Sequence, residues 1–158
     1  MKKNIVWLAS YPKSGNTWTR IFLANYLSNA ETPVPINEVK RFGMGDSIAK
    51  TYEIVARQRI DTKNVAQTLQ LRDKVLRGIS GNNADVNLVK THNICKGARG
   101  VELIPPQYTR SAIYIIRNPL DMVLSYARHY NMTPERAAHA ICHKDNALLP
   151  DAETVISF

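Results

Sequence analysis

The stretch "WLASYPKSGNTW", Trp7 to Trp18, gathers residue types that hold an anion. An apolar run ends at Tyr11 and Pro12, a lysine, a serine and a glycine follow, and Asn16 and Thr17 lead into a helical pattern. At a strand-to-helix bend, the free N–H groups of the first turn and the helix dipole favour negative charge. Gly15 lets the backbone approach that charge closely. Lys13 adds a mobile cation, and Ser14, Asn16 and Thr17 add neutral donors. The chemistry is that of a phosphate cradle, against the alternative of an ordinary turn with a solvated lysine. The loop is not of the Walker A type, which requires Gly, four residues, then Gly-Lys-Ser/Thr. Here the lysine precedes the loop's glycine. Trp18 also has two readings: a core residue, or a flat face for a nucleobase.

Such a loop needs a strand before it and a helix after it. "NIVWLAS" (4–10) is a short apolar run rich in β-formers, so it reads as a buried strand. Apolar residues at 18, 21, 22, 23, 26 and 27 predict a helix over 17–29, capped by Asn16 or Thr17. A proline-broken loop (31–36) precedes two amphipathic helices, 46–59 and 62–78, with Asp46 and Thr62 as N-caps and Gly78 at a stop. "VNLVKTH" (86–92) and "SAIYIIR" (111–117) are two further strands. Pro119 and Pro134 open helices over 119–130 and 134–144. Strands that alternate with helices and are apolar on both faces predict a parallel α/β sheet with cover on both sides.

The bulk properties agree with a single domain over 1–158. The chain has 158 residues, 44% of them hydrophobic, which is enough for one core. A net charge of +8 attracts polyanions, but the basic residues are scattered, which disfavours nucleic acid. Cys95 and Cys142 make no disulfide framework, and no stretch approaches the length of a membrane span; the expected setting is the cytoplasm. His139, Cys142 and His143 lack an evident fourth metal ligand and read as a solvated helix.

Three motifs in order give a specific likeness. "YPKSGNTW" resembles the 5′-phosphosulfate loop of the cytosolic-type sulfotransferases, which use 3′-phosphoadenosine-5′-phosphosulfate (PAPS) as co-substrate. "VKTH" (89–92) resembles the strand end that carries the family's catalytic histidine. "YIIRNPLDMVLSYARHY" resembles its 3′-phosphate segment, with Arg117 and Ser125 at matching positions. The resemblance, which looks bacterial in flavour, covers roughly Ile5 to Tyr130 and implies a P-loop-kinase-like three-layer fold.

By this likeness, His92 is the general base, Lys13 stabilises charge on the bridging oxygen and Lys90 assists near the acceptor. The cradle (Lys13, Ser14, Gly15, Asn16, Thr17) and Trp18 bind the nucleotide, while Arg117 and Ser125 hold its 3′-phosphate. No metal is implied. The implied partners are the nucleotide donor and a small acceptor hydroxyl or amine, whose pocket is expected from loops 32–50 and 93–108; a homodimer is allowed and a membrane is not expected. The family's C-terminal glycine- and lysine-rich loop and second adenine-facing aromatic have no counterpart here, so the fold is expected to be incomplete at its C-terminus, the site open and the chain nearly inactive alone. The competing readings are a nucleotide or small-molecule kinase, and a truncated, non-catalytic nucleotide-binding module. The kinase reading would need a Walker lysine and an acidic Mg²⁺ ligand at a strand end, and the strands end in "KTH" and "IRN".

Overall fold

The computed structural model describes residues 2–143 and 146–158. Its centre is a parallel four-stranded sheet in the order β2 (Met44–Gly45), β3 (Asn87–Thr91), β1 (Ile5–Ser10), β6 (Thr109–Ile115). The three long strands are the apolar runs read from the sequence, and β1 lies between the other two. Trp7 pairs in register with Val89 on one side and Ala112 on the other. The two-residue strand β2 lacks a hydrophobic run to announce it and exists through its pairing with Val89 and Lys90. A hairpin of β4 (Gly97–Ala98) and β5 (Val101–Glu102) stands apart from the sheet.

The helices are α1 (Asn16–Ser28), α2 (Ala49–Ala56), α3 (Val65–Ser80), α4 (Pro119–His129) and α5 (Pro134–Cys142), with a 3₁₀ turn at Ile36–Arg41. The last residue of the expected helix 134–144 lies outside the described residues. The main core packs Tyr52 of α2 and Val75, Leu76 and Ile79 of α3 onto Ile5, Trp7 and Val89. Each large side chain buried there contributes roughly 1.5–3 kcal/mol. A second cluster joins α4 to α5 through Tyr126, Ala127 and Ala137, with Tyr11 beside it. Edge strand β6 keeps Ile113 and Tyr114 exposed, as is Ile116 just beyond it, unlike the two-sided cover expected of this strand.

Several caps differ from expectation. Gly15 is the N-cap of α1, with no side-chain cap, and Asn16 and Thr17 are already helical. Asn64 rather than Thr62 caps α3, accepting from the Gln67 N–H. Gly78 lies within α3, and Gly81 follows its end. Asp46 caps nothing; it is buried in an ion pair. Among the described residues, no helix is long and apolar enough to cross a membrane.

Candidate active site

The bend after β1 has the geometry that an anion needs. Lys13 (φ 67°) and Gly15 (φ 108°) both take left-handed backbone conformations. For Lys13 that is uncommon, with a strain of order 1 kcal/mol or more. At Gly15 a Cβ would meet nothing within 4 Å, so conformation, not crowding, requires the glycine, and the space above it is open. The Ser14 N–H bonds the Tyr11 carbonyl at 3.3 Å, and the first helical bond runs from Thr19 N–H to Gly15 O at 3.0 Å. With no side-chain cap and no acidic residue in the first turn, the helix N-terminus is left for a ligand.

The side chains of the loop divide into two sets. Ser14 is buried, with Oγ against Met122 Sδ at 3.5 Å, and it does not line the cleft. Asn16 is also buried. Its Nδ2 donates to Leu8 O (2.8 Å) and Ser10 Oγ (3.1 Å), and its Oδ1 has no partner among the described residues. Asn16 thus braces the loop with its amide rather than offering it to a ligand. Lys13, Thr17 and Trp18 face the cleft, and Trp18 is 77% exposed, which excludes the core reading.

His92 follows β3 on the opposite wall. Its Nδ1 lies 2.8 Å from Ser10 O and 3.3 Å from Ser10 Oγ. A carbonyl can only accept, so Nδ1 carries the proton and Nε2 keeps its lone pair. Nε2 has no hydrogen-bond partner among the described residues. Burial, and then the neighbouring Lys90 charge, lower the His92 pKa from 6.5 to about 4, against the Ser10 hydrogen bond and Asp46, which raise it. Burial likewise lowers the Lys90 pKa, with Arg20 adding to it. The imidazole is therefore neutral across the physiological range.

The end of β6 meets the loop directly. Arg117 Nη1 donates to Lys13 O at 3.2 Å. A cleft of about 590 Å³ is lined by Lys13, Trp18, Lys90, His92, Arg117 and Ser125, among others. A second, of about 480 Å³, continues it over α4, sharing Lys13, Arg117, Ser125 and His129 and adding Arg128 and Asp121. The three motifs, far apart in sequence, thus converge on one groove, with the Ser14 hydroxyl and the Asn16 amide engaged within the protein. His129 went unassigned in the sequence, although it lies four residues after Ser125 and hence on the same face of α4. It meets Tyr130 edge-on at 4.7 Å.

Beneath His92 lies a network that the sequence reading missed. Asp46 and Arg72 form a buried ion pair at 2.7 Å. Asp46 Oδ2 also accepts from Thr91 Oγ1 (2.8 Å) and Asn93 Nδ2 (3.0 Å), and Oδ1 accepts from Ser47 Oγ (3.0 Å). Arg72 in turn donates to Leu103 O and to the Tyr52 hydroxyl. The residues on both sides of His92 are therefore held by one carboxylate. Nothing local marks Asp46 for this; its partner is 26 positions away.

Residues 146–158 form the remaining wall. Asn146 Nδ2 donates to the Tyr11 hydroxyl at 2.6 Å, and Phe158 N–H donates to Asn93 Oδ1 at 2.9 Å. Leu148 and Thr154 line the same cleft as Lys13 and His92. The expected acceptor loop 32–50 reaches the site through Gly45–Ile48, whereas residues 93–108 do not line this region.

Among the described residues, no group of three or more His, Cys, Asp or Glu is placed to hold a metal ion. A search of curated proteins finds no match to this chain. The family comparison does find one: the sulfotransferase domain matches residues 3–154. That span contains the Lys13 loop, the His92 strand end and the Arg117–Ser125 segment, so the motifs, the parallel sheet and the family match coincide, and the chain belongs to the sulfotransferase family.

Proposed function

We propose that this chain moves a sulfuryl group from PAPS to an acceptor hydroxyl or amine, with His92 as general base. The observation that carries the reading is the His92 tautomer: Nδ1–H is committed to Ser10 O, which leaves Nε2 its lone pair, and His92 lines the cleft that Lys13 also lines. The cradle fits a 5′-phosphosulfate through the uncapped α1 N-terminus and the open space at Gly15. Lys13 supplies positive charge where the bridging oxygen would become an anion. Arg117 and Ser125 would receive the 3′-phosphate, and exposed Trp18 offers a face to the base. When bound, PAPS supplies an activated sulfuryl group on a phosphate leaving group. The chain's own part is to orient the acceptor, take its proton at Nε2 and hold the anionic groups in place. His92→Ala in a radiolabelled sulfuryl-transfer assay tests the base. Turnover should fall about 10²–10⁴-fold while calorimetric affinity for adenosine 3′,5′-bisphosphate stays within about twofold. Unchanged turnover refutes the assignment.

A further inference from the structure

A small side pocket of about 90 Å³ opens off the main cleft at Lys90 and His92. One wall is the chain from Gly45 to Ile48. The other is the C-terminal segment, through Leu148, Thr154, Val155 and Ser157. Two backbone bonds stitch the walls together, Ala49 N–H to Glu153 O at 2.8 Å and Val155 N–H to Ser47 O at 2.9 Å, and within the second wall Ser157 and Leu148 bond in both directions at 2.8 and 3.2 Å. Asp46 also borders the pocket, but both of its oxygens are occupied by Arg72, Thr91, Asn93 and Ser47. The pocket therefore presents no free carboxylate to attract a cation. What remains is apolar surface from Ile48, Leu148 and Val155 with hydroxyls among it, and Lys90 and His92 where the pocket meets the cleft, the lysine disfavouring a cationic ligand.

The hydroxyl protons can be assigned. Ser47 Oγ–H donates to Asp46 Oδ1, and the oxygens of Ser47 and Ser157 are 2.8 Å apart. Ser47 has spent its only proton on the carboxylate, so Ser157 Oγ–H donates to Ser47. Ser157 then has only lone pairs left, and a ligand group meeting it must be a donor. Size restricts the ligand further. The pocket is smaller than the apolar cavities of about 150 Å³ that accept a benzene ring.

We propose that this pocket is the acceptor subsite and that residues 148–157 select a compact, neutral aliphatic alcohol with a second hydrogen-bond donor, such as a short diol. The proposal rests on the sulfotransferase reading for which atom reacts: one hydroxyl meets His92 and the other meets Ser157.

The test uses propane-1,3-diol, propan-1-ol and benzyl alcohol with the full chain, read by saturation-transfer NMR with and without adenosine 3′,5′-bisphosphate and by sulfate-ester formation. The wild type should show transfer to the diol and little to benzyl alcohol. Ile48→Trp, at a partly exposed position outside the main cleft, should remove the diol signal and leave bisphosphate affinity within about twofold. Ile48→Ala should admit benzyl alcohol. Ser157→Ala should cut the preference for the diol over propan-1-ol by roughly 2–10-fold, the worth of one neutral hydrogen bond. Benzyl alcohol used as well as the diol by the wild type overturns the proposal, and so does a diol signal untouched by Ile48→Trp and Ser157→Ala. The NMR signal needs no nucleotide, so the pocket is judged on its own. A wild-type chain that fails to bind the bisphosphate overturns the nucleotide reading instead.

Discussion

Holding His92 neutral has a consequence for stability. In the unfolded chain this imidazole titrates near 6.5, whereas in the fold it does so at about 4, because burial and Lys90 disfavour its charged form. Between these values the unfolded chain binds a proton that the native chain does not. Stability is thus fully present above pH 6.5, declines as pH falls towards 4, and receives no further change from this group below that. At about 1.4 kcal/mol per pH unit, the loss is roughly 3 kcal/mol. For a chain of this length that corresponds to a fall in Tm of roughly 6–12 °C. The assay is thermal and urea unfolding from pH 8 to pH 4.5, comparing wild type with His92→Gln, which keeps a polar side chain but cannot titrate. The wild type should lose more stability than the variant over this interval. The acid limb of kcat/KM should lie near pH 4, or wherever other groups first fail, and not at 6.5. Parallel stability curves, or an NMR titration giving His92 an ordinary pKa, would refute the reasoning.

Three further substitutions separate the roles of the groove. Arg117→Ala should weaken adenosine 3′,5′-bisphosphate by roughly 10–100-fold, the worth of a charge-assisted bond, and AMP far less; equal losses by calorimetry would mean that Arg117 does not read the 3′-phosphate. Lys13→Ala should lower kcat more than it raises KM, since its partner charge grows during the reaction, and a pure KM effect would contradict that role. Asp46→Ala strands the buried Arg72 guanidinium and should cost about 3–5 kcal/mol, measured by urea unfolding; a loss under 1 kcal/mol would show that the pair is not what holds the end of β3.

Some of this site was legible because its signals are local. The runs at Ile5–Ser10, Asn87–Thr91 and Thr109–Ile115 declare themselves by apolar continuity, and the residues just beyond them carry the motifs. Lys13 could be named since it sits where a strand of a parallel sheet ends, whereas His92 and Arg117 are named through the likeness of "VKTH" and "YIIRNPLDMVLSYARHY" to the family's motifs. Asp46 failed for the opposite reason. Ahead of a helical pattern, local chemistry says cap, but Arg72, Thr91 and Asn93 outweigh it with an ion pair and two hydrogen bonds. The β2 strand and the 146–158 wall have the same character, being defined by partners far away in sequence. Ser14 shows the limit within a motif. Its type suits a phosphate ligand, yet Met122 on α4 determines where its hydroxyl goes.

In the proposed reading the groove offers two anion seats, and their separation matters more than the net charge of +8. One is the uncapped α1 N-terminus with Lys13; the other is the end of β6 with Arg117, bordered by Ser125 and Arg128 on α4. The hydrogen bond from the exposed Arg117 side chain to Lys13 O links the two seats. In the proposed reading, a nucleotide with a single phosphate chain fills one seat and leaves the other to water, while a 3′,5′-bisphosphate fills both. The strength of either seat depends on what covers it. Opposite charges 4 Å apart are worth about 1 kcal/mol in bulk water and about 4 kcal/mol at the lower effective dielectric of a protein surface. Leu148 and Thr154, uncharged side chains that line the groove with Lys13 and His92, would act by this route by taking the place of water there. In the proposed reading, the wall that selects the acceptor would therefore also strengthen the cradle's hold on its anion and help to keep the imidazole neutral.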